Sequence, residues 1–487
     1  MYDDGGGLPD VARGEQRGGS SRGRDRDSAD EGFDDARRGV PNFLIRRAIV
    51  VGVVVALIAV TAIAAGSLLG SGDGGSGSAF GDSDWNTAVS IDQNIGTVVL
   101  TDPKGEETGR FRLGIQSITD SAVIGSTVIA ASTDNVAVAD LSAPEDIITI
   151  DIESAGELFR PSGTVATVIA PDTGRQRVVL VHGPTHEVID TADLDTVPGA
   201  RYDIDLARSD PTGRNVLVTD SGNFQSVLFS FDRDAPSFFP GLALAVNDSI
   251  VVTAQNVGMN ANVNVFDHTG EAGVTTQTAS VRAGMIADGS VILIGVEGEV
   301  LSLSTASGEV TTLDPLSIGT VQSGNVAPRG DRLILSGDQG TAIVDGNGIV
   351  LADLPGAQPT TTGIDKLAPR RSTCVVLTRE ITNEVVVVDL DDGAIRVEAI
   401  SGPEVLAAVS GCQPVVPTST GYLSLTEDAV QPVTLAGDVI ALSPDGGTLV
   451  VENNNRLLLT DRAVPNSDPA EPIDIGRARR SVAFADL

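Results

Sequence analysis

An all-β propeller of repeated blades, carried behind one transmembrane helix, is the architecture this sequence predicts, and three observations predict it. Residues 48–69 form an uncharged run made almost wholly of Val, Ile, Leu and Ala. A Gly- and Ser-rich stretch follows that run. Beyond it, short strand-like runs recur about every 40 residues to the end of the chain, the period of a four-stranded propeller blade.

The apolar run is long enough to cross a bilayer as a helix. Arg37, Arg38, Arg46 and Arg47 precede it while Asp73, Asp82 and Asp84 follow it, so the positive-inside bias places the N-terminus in the cytoplasm and everything beyond the span outside. Ala62-Ile63-Ala64 is a small-residue pattern of the kind cleaved in signal peptides. The run is longer than a secretory apolar region and its leader longer than a basic n-region, so a retained anchor fits better.

The expected domain boundaries follow. Residues 1–43 mix Gly, Arg, Asp and Ser with scarcely any apolar side chain, a composition that cannot offset the entropy of ordering, so a disordered cytoplasmic tail is expected. Ser20, Ser21 and Ser28 lie among charges where phosphorylation would alter the local field, although plain linker serines are the simpler reading. Residues 44–70 are the transmembrane helix and 71–83 a flexible Gly/Ser linker, leaving 84–487 as the extracellular domain.

Within 84–487, runs rich in Val, Ile, Leu and Thr alternate with Gly, Asp, Asn and Pro, and no sustained helical periodicity interrupts them. One kind of run recurs ten times. It begins as Thr97-Val98-Val99-Leu100-Thr101-Asp102 and Val136-Ala137-Val138-Ala139-Asp140, and reappears as Val263-Asn264-Val265-Phe266-Asp267, Val385-Val386-Val387-Val388-Asp389 and Leu457-Leu458-Leu459-Thr460-Asp461. A turn and a further strand follow each run, as in Asp389-Leu390-Asp391-Asp392-Gly393. A short apolar strand behind a turn precedes it, as in Ser443-Pro444-Asp445-Gly446 before Leu449-Val450-Val451, or Asp210-Pro211-Thr212-Gly213 before Val216-Leu217-Val218.

This alternation resembles the blades of bacterial YVTN-like or WD40-like β-propeller repeat proteins, of the membrane-anchored actinobacterial kind, although no strict WD or YVTN signature is present. Ten units exceed the four to eight blades typical of propellers. One large ring, a smaller ring with irregular units, and two packed propellers are all compatible with the spacing. The closing residues Arg480-Ser481-Val482-Ala483-Phe484-Ala485 read as one more strand, expected to complete the first unit, close the ring and protect its edges.

Composition narrows function more than it defines it. The net charge is −34, carried mainly by the outer domain, so nucleic acid and anionic lipid are poor partners for that domain. Lys104 and Lys366 are the two lysines among many arginines, a skew like that of a high-GC bacterial genome. An aromatic fraction of 3% makes sugar stacking and cation–π cages poor readings.

Few residues offer chemistry. Cys374 and Cys412 lie about one repeat apart at similar offsets within their units, and a disulfide between them is expected outside the cell. His182 and His186 have helical i, i+4 spacing, but Gly183-Pro184 between them forbids a regular helix and argues against zinc. His268 is the remaining histidine, and no nucleophile elbow or phosphate loop is evident. Tyr202-Asp203-Ile204-Asp205 and Asp389-Leu390-Asp391-Asp392-Gly393 could offer oxygens to Ca²⁺, yet lack the full EF-hand loop and read first as turn aspartates. Arg329-Gly330-Asp331 falls in a repeat turn that itself requires Gly and Asp, and Asn247-Asp248-Ser249 is a formal glycosylation acceptor without weight in a bacterium.

The expectation is a non-catalytic, single-pass envelope protein whose propeller binds a protein or peptide partner, with no cofactor. A lactonase- or lyase-like surface enzyme holding a divalent metal on carboxylates is the alternative. A transmembrane sensor is a third reading, which the small residues Ala48, Gly52, Ala56, Ala59 and 62–66 would serve by allowing close helix packing.

Overall fold

The structure is a computed structural model, and it describes residues 85–485 apart from 155, 163, 173–174, 192–198, 328–329, 360–373, 380, 400–413, 426–429, 463–471 and 478–480. The expected tail, span 48–69 and linker therefore lie outside the described residues, as does Cys412. No described helix is long and apolar enough to cross a membrane.

The described residues form a ten-blade β-propeller. Ten antiparallel sheets follow one another along the chain, nine of four strands and one of three. Blade 1 comprises 87–112 together with 481–485, and blades 2 to 10 comprise 120–151, 157–190, 202–240, 242–279, 281–312, 321–355, 358–399, 415–434 and 438–477. In each four-stranded blade after the first, strands run in order from the inner strand at the ring's centre to the outer strand at its rim.

Burial explains why one run type stood out in the sequence. Nine of the ten runs are third strands and the tenth, Gly421–Leu425, is the middle strand of the three-stranded blade 9; these strands pack against a neighbouring blade on both faces. In Glu384–Asp389, Val386 and Val388 face blade 7 while Val385 and Val387 face blade 9. A strand buried on both faces is apolar without alternation.

The turns are equally explicit. Asp267 and Asp345 each end a third strand and Asp102 directly follows one, and each side-chain oxygen accepts the N–H groups of residues two and four further on. Gly105, Gly270 and Gly348 then take a left-handed φ. At Gly348 a Cβ would lie 2.2 Å from Leu313 Cδ1, so glycine is also the residue that fits.

Ten hydrophobic clusters occupy the ten junctions between neighbouring blades. An open row of ten blades would have nine junctions, so the blades form one closed ring rather than two propellers. The tenth junction exists because Ser481–Ala485 pairs with Thr87–Asp92 and becomes the inner strand of blade 1, as the sequence predicts.

The ring is not uniformly open at its centre. The inner strands of blades 4 and 7, Tyr202–Ser209 and Val321–Val326, approach each other across it. There the turn glycine Gly330 sits so close to Pro211 that a Cβ would lie 2.7 Å from its Cγ.

Candidate binding face

Propeller geometry gives the ring two faces. One carries the turns between inner and second strands and between third and outer strands; here it is called the lower face. The other, the upper face, carries the second-to-third turns and the crossings between blades.

The histidines of the chain all serve on the lower face, within blades 3 to 5. His182, buried at the end of Arg175–His182, lies with Nε2 3.0 Å from the Thr212 carbonyl of blade 4. Burial pushes its imidazole below the usual histidine range. His186 turns the opposite way, with Nε2 3.2 Å from Asp140 and Nδ1 2.6 Å from Thr127 Oγ1, both in blade 2. The two rings of this pair therefore reach different blades. His268 contacts the Asn247 carbonyl through Nε2 at 3.0 Å, and burial lowers its pKa too.

Thr127, His186 and Asp140 have the hydroxyl–imidazole–carboxylate order of a nucleophile relay. Thr127 is fully buried, and its hydroxyl also lies 2.6 Å from the Gly183 carbonyl oxygen. The arrangement therefore clasps blade 3 to blade 2 and leaves no approach for a substrate. Arg214 similarly joins blades 3 and 4, bonding Glu187 at 2.9 Å and Asp232 at 2.6 Å and holding the Asp232 carboxyl below its usual range. Between these blades, Val188, Phe229, Arg233 and Asp234 help line a cavity of about 190 Å³. That is below the roughly 300–1,000 Å³ usual for organic ligands.

The other sequence candidates resolve into turns. Asp389 and Asp392 accept turn amides from Asp391 and Ala394. Asn247 accepts from the amides of Ser249 and Ile250, and Asp331 lies 3.2 Å from Arg332 in its repeat turn, with Arg329 outside the described residues. Asp203 and Asp205 are the exception and are not turn aspartates: they lie within Tyr202–Ser209, the inner strand of blade 4, where Asp203 precedes a bulge. Among the described residues, no three His, Cys, Asp or Glu side chains gather as metal ligands would. Cys374 is buried at the start of Cys374–Arg379 in blade 8.

The upper face differs in kind. The four most exposed large apolar side chains among the described residues are Ile381 at 95%, Met259 at 87%, Phe224 at 82% and Val257 at 69%, and all lie at second-to-third turns. Ile95 of blade 1 occupies the same kind of turn. One exposed apolar residue, Ile349, lies in a lower-face turn.

Phe224 is held there against its backbone preference. It has φ 55° at the last position of its turn, where blade 1 has Gly96 and blade 8 has Asn383, both also left-handed. Buried Asp220 supports the turn, accepting hydrogen bonds from the Arg201, Gly222 and Asn223 amides and from the side chains of Asn223 and Gln225. An exposed aromatic is thus held in a costly backbone conformation and braced by a buried carboxylate. Composition and periodicity had no access to this, because single turn residues carry no period. The Phe at a position that other repeats give to Gly or Asn was its visible trace.

No family model matches this chain, and no curated protein does. Solved structures are similar to it at low identity. The dihydro-heme d1 dehydrogenase NirN in complex with DHE is 15% identical, with 81% of this chain and 75% of that one covered at a TM-score of 0.37. BamB from Moraxella catarrhalis is 13% identical, covering 66% and 96% at 0.30. A eukaryotic initiation factor is 8% identical, covering 83% and 99% at 0.47. Similarity at this level says nothing of ligand or partner.

Proposed function

We propose that the chain is a single-pass cell-envelope protein of the WD40- or YVTN-like, membrane-anchored actinobacterial kind, whose extracellular propeller is a non-catalytic scaffold for a protein or peptide partner. In this reading 1–43 is a cytoplasmic tail, 44–70 the membrane helix and 71–83 the linker. The observation that carries the binding role is the concentration of Phe224, Val257, Met259, Ile381 and Ile95 on upper-face turns. Exposed Met and aromatic side chains are characteristic of protein interfaces. The use of Asp102, Asp267, Asp345 and Asp389 as turn caps supports a scaffold rather than a metal-dependent enzyme.

Position-specific photo-cross-linking on intact cells tests this. A photoreactive amino acid replaces Ile95, Phe224, Met259 or Ile381 in the full-length chain, with Ile349 as the lower-face control. Discrete adducts from the upper-face positions and none from Ile349 are expected. No adducts, or equal adducts from both faces, would refute the binding face.

A further inference from the structure

Outer strands are where a propeller exposes unpaired backbone, and proteins blunt such edges with charge, proline or brevity. In this ring nine of the ten outer strands are blunted. Glu107–Arg112, Ile147–Asp151, Glu187–Asp190, Ile395–Ala399 and Ile473–Arg477 carry charges. Ser237–Pro240, Val350–Pro355 and Val430–Thr434 contain proline, and Val310–Thr312 is three residues long.

The outer strand of blade 5, Ala272–Ala279, breaks the rule. It is eight residues long, reads AGVTTQTA, and holds neither charge nor proline. It pairs with Asn260–Asp267 on one side, and among the described residues no strand pairs with its other edge. In this acidic chain the strand and its hairpin partner are also uncharged along the sequence: no ionisable side chain occurs between Asp248 and Asp267, or between Glu271 and Arg282. Asn256, Asn260 and Asn262 are exposed on the adjoining hairpin, whose tip is Val257-Gly258-Met259. The tip is joined to the upper end of the edge strand by a hydrogen bond from the Ser280 amide to the Met259 carbonyl at 3.0 Å.

We propose that the edge of Ala272–Ala279 is a strand-addition site, at which an extended segment of a partner protein pairs as a fifth strand of blade 5. Main-chain hydrogen bonds would supply the affinity, and Met259 and Val257 would supply an apolar anchor at one end. Eight residues at roughly 3.3 Å each fit a segment of similar length. The partner segment has an uncharged, proline-free centre, because the edge offers no charge to pair and needs every backbone donor. Its flanks are basic, because any approaching chain meets the field of a molecule with net charge −34. The same charge on both molecules disfavours a second copy of this chain as the occupant.

This inference rests on the proposed partner-binding role, and it is tested on the full-length chain in detergent by hydrogen exchange. The probe is an alternating Thr/Val octapeptide flanked by arginine pairs, with a glutamate-flanked version and a proline-interrupted version as controls. The arginine-flanked peptide is expected to slow exchange of the outward amides of Ala272–Ala279 by about tenfold or more, leaving the other outer strands unchanged. Neither control peptide should do so. Gln277→Lys, at an exposed position of the strand, should abolish protection while leaving the melting temperature in place.

Absence of protection at saturating peptide overturns the proposal, as does protection centred on another strand. Protection that develops on raising the protein concentration alone identifies a second copy as the occupant and equally overturns it. If upper-face cross-linking succeeds while this edge gains no protection, the scaffold reading stands and the strand-addition site falls.

Discussion

Trp85 and Phe484 meet edge to face, with ring centroids 4.8 Å apart and an interplanar angle of 64°. They come from opposite ends of the described chain, and their contact lies in the hydrophobic cluster between blades 10 and 1. Ring closure thus depends on a junction whose two sides are joined last in sequence and first to be lost on truncation.

Phe484→Ala should therefore destabilise the propeller by about 3 kcal/mol, the usual cost of truncating an aromatic in a packed junction. Trp85 is the chain's single tryptophan, so its fluorescence reports this junction directly. Removing residues 481–487 is expected to shift Trp85 emission to the red before the far-ultraviolet β signal is lost. Coincident loss of both signals would show that the ring has no separable closing step.

His186 has φ 56°, in a turn that other blades build with glycine, while its ring holds Asp140 and Thr127. His186→Ala loses these bonds and keeps the backbone strain, whereas His186→Gly loses the bonds and relieves it. Alanine should cost about 2 kcal/mol and glycine about 1 kcal/mol less, the reverse of their usual order. Denaturant midpoints of the two variants decide this.

Phe224→Gly should separate stability from binding. The left-handed turn costs glycine nothing, so stability should rise by about 0.5–1 kcal/mol in denaturant unfolding. Cross-linking from Met259 should fall at the same time if Phe224 belongs to the binding face. A loss of stability would mean that Phe224 makes a contact worth more than its strain.

Acid should weaken the lower face before it protonates the carboxylates. Burial lowers the pKa values of His182 and His268, so the folded state favours their neutral forms. Their stabilisation is complete above the unfolded value of about 6.5 and is lost as pH falls through their lower folded values. Asp232, held below its usual range chiefly by its hydrogen bond with Arg214, adds a loss only at still lower pH, below about 4. The melting temperature should stay level above about pH 7 and begin to fall near 6.5. His182→Gln with His268→Gln, which keeps side-chain donors for the two carbonyls, should flatten that first decline.

The expected pairing of Cys374 with Cys412 makes a further measurable statement. Intact protein should show no titratable thiol until reduced, and reduction should lower stability by about 3–4 kcal/mol on the loop-entropy account. Thiols that react in unfolded but unreduced protein would rule the disulfide out.

The sequence by itself determined the blade and its repeat of about 40 residues, and left open how many of the ten units are regular blades. A third strand such as Val385–Asp389 is packed on both faces, so its apolar run needs no partner to be recognised, and turns such as Asp345-Gly346-Asn347-Gly348 depend on local side-chain–backbone bonds. It also indicated that the last strand completes the first blade, since the first unit lacked one. What it left open was whether ten blades make one ring, because that depends on which side chains meet across each junction; only the tenth cluster, with Trp85 against residues of blade 10, decided it. The binding candidates were likewise a tertiary result. Phe224, Met259 and the edge Ala272–Ala279 are ordinary in composition, and they become distinctive only when folding buries the rest of the apolar surface and pairs or protects the other edges.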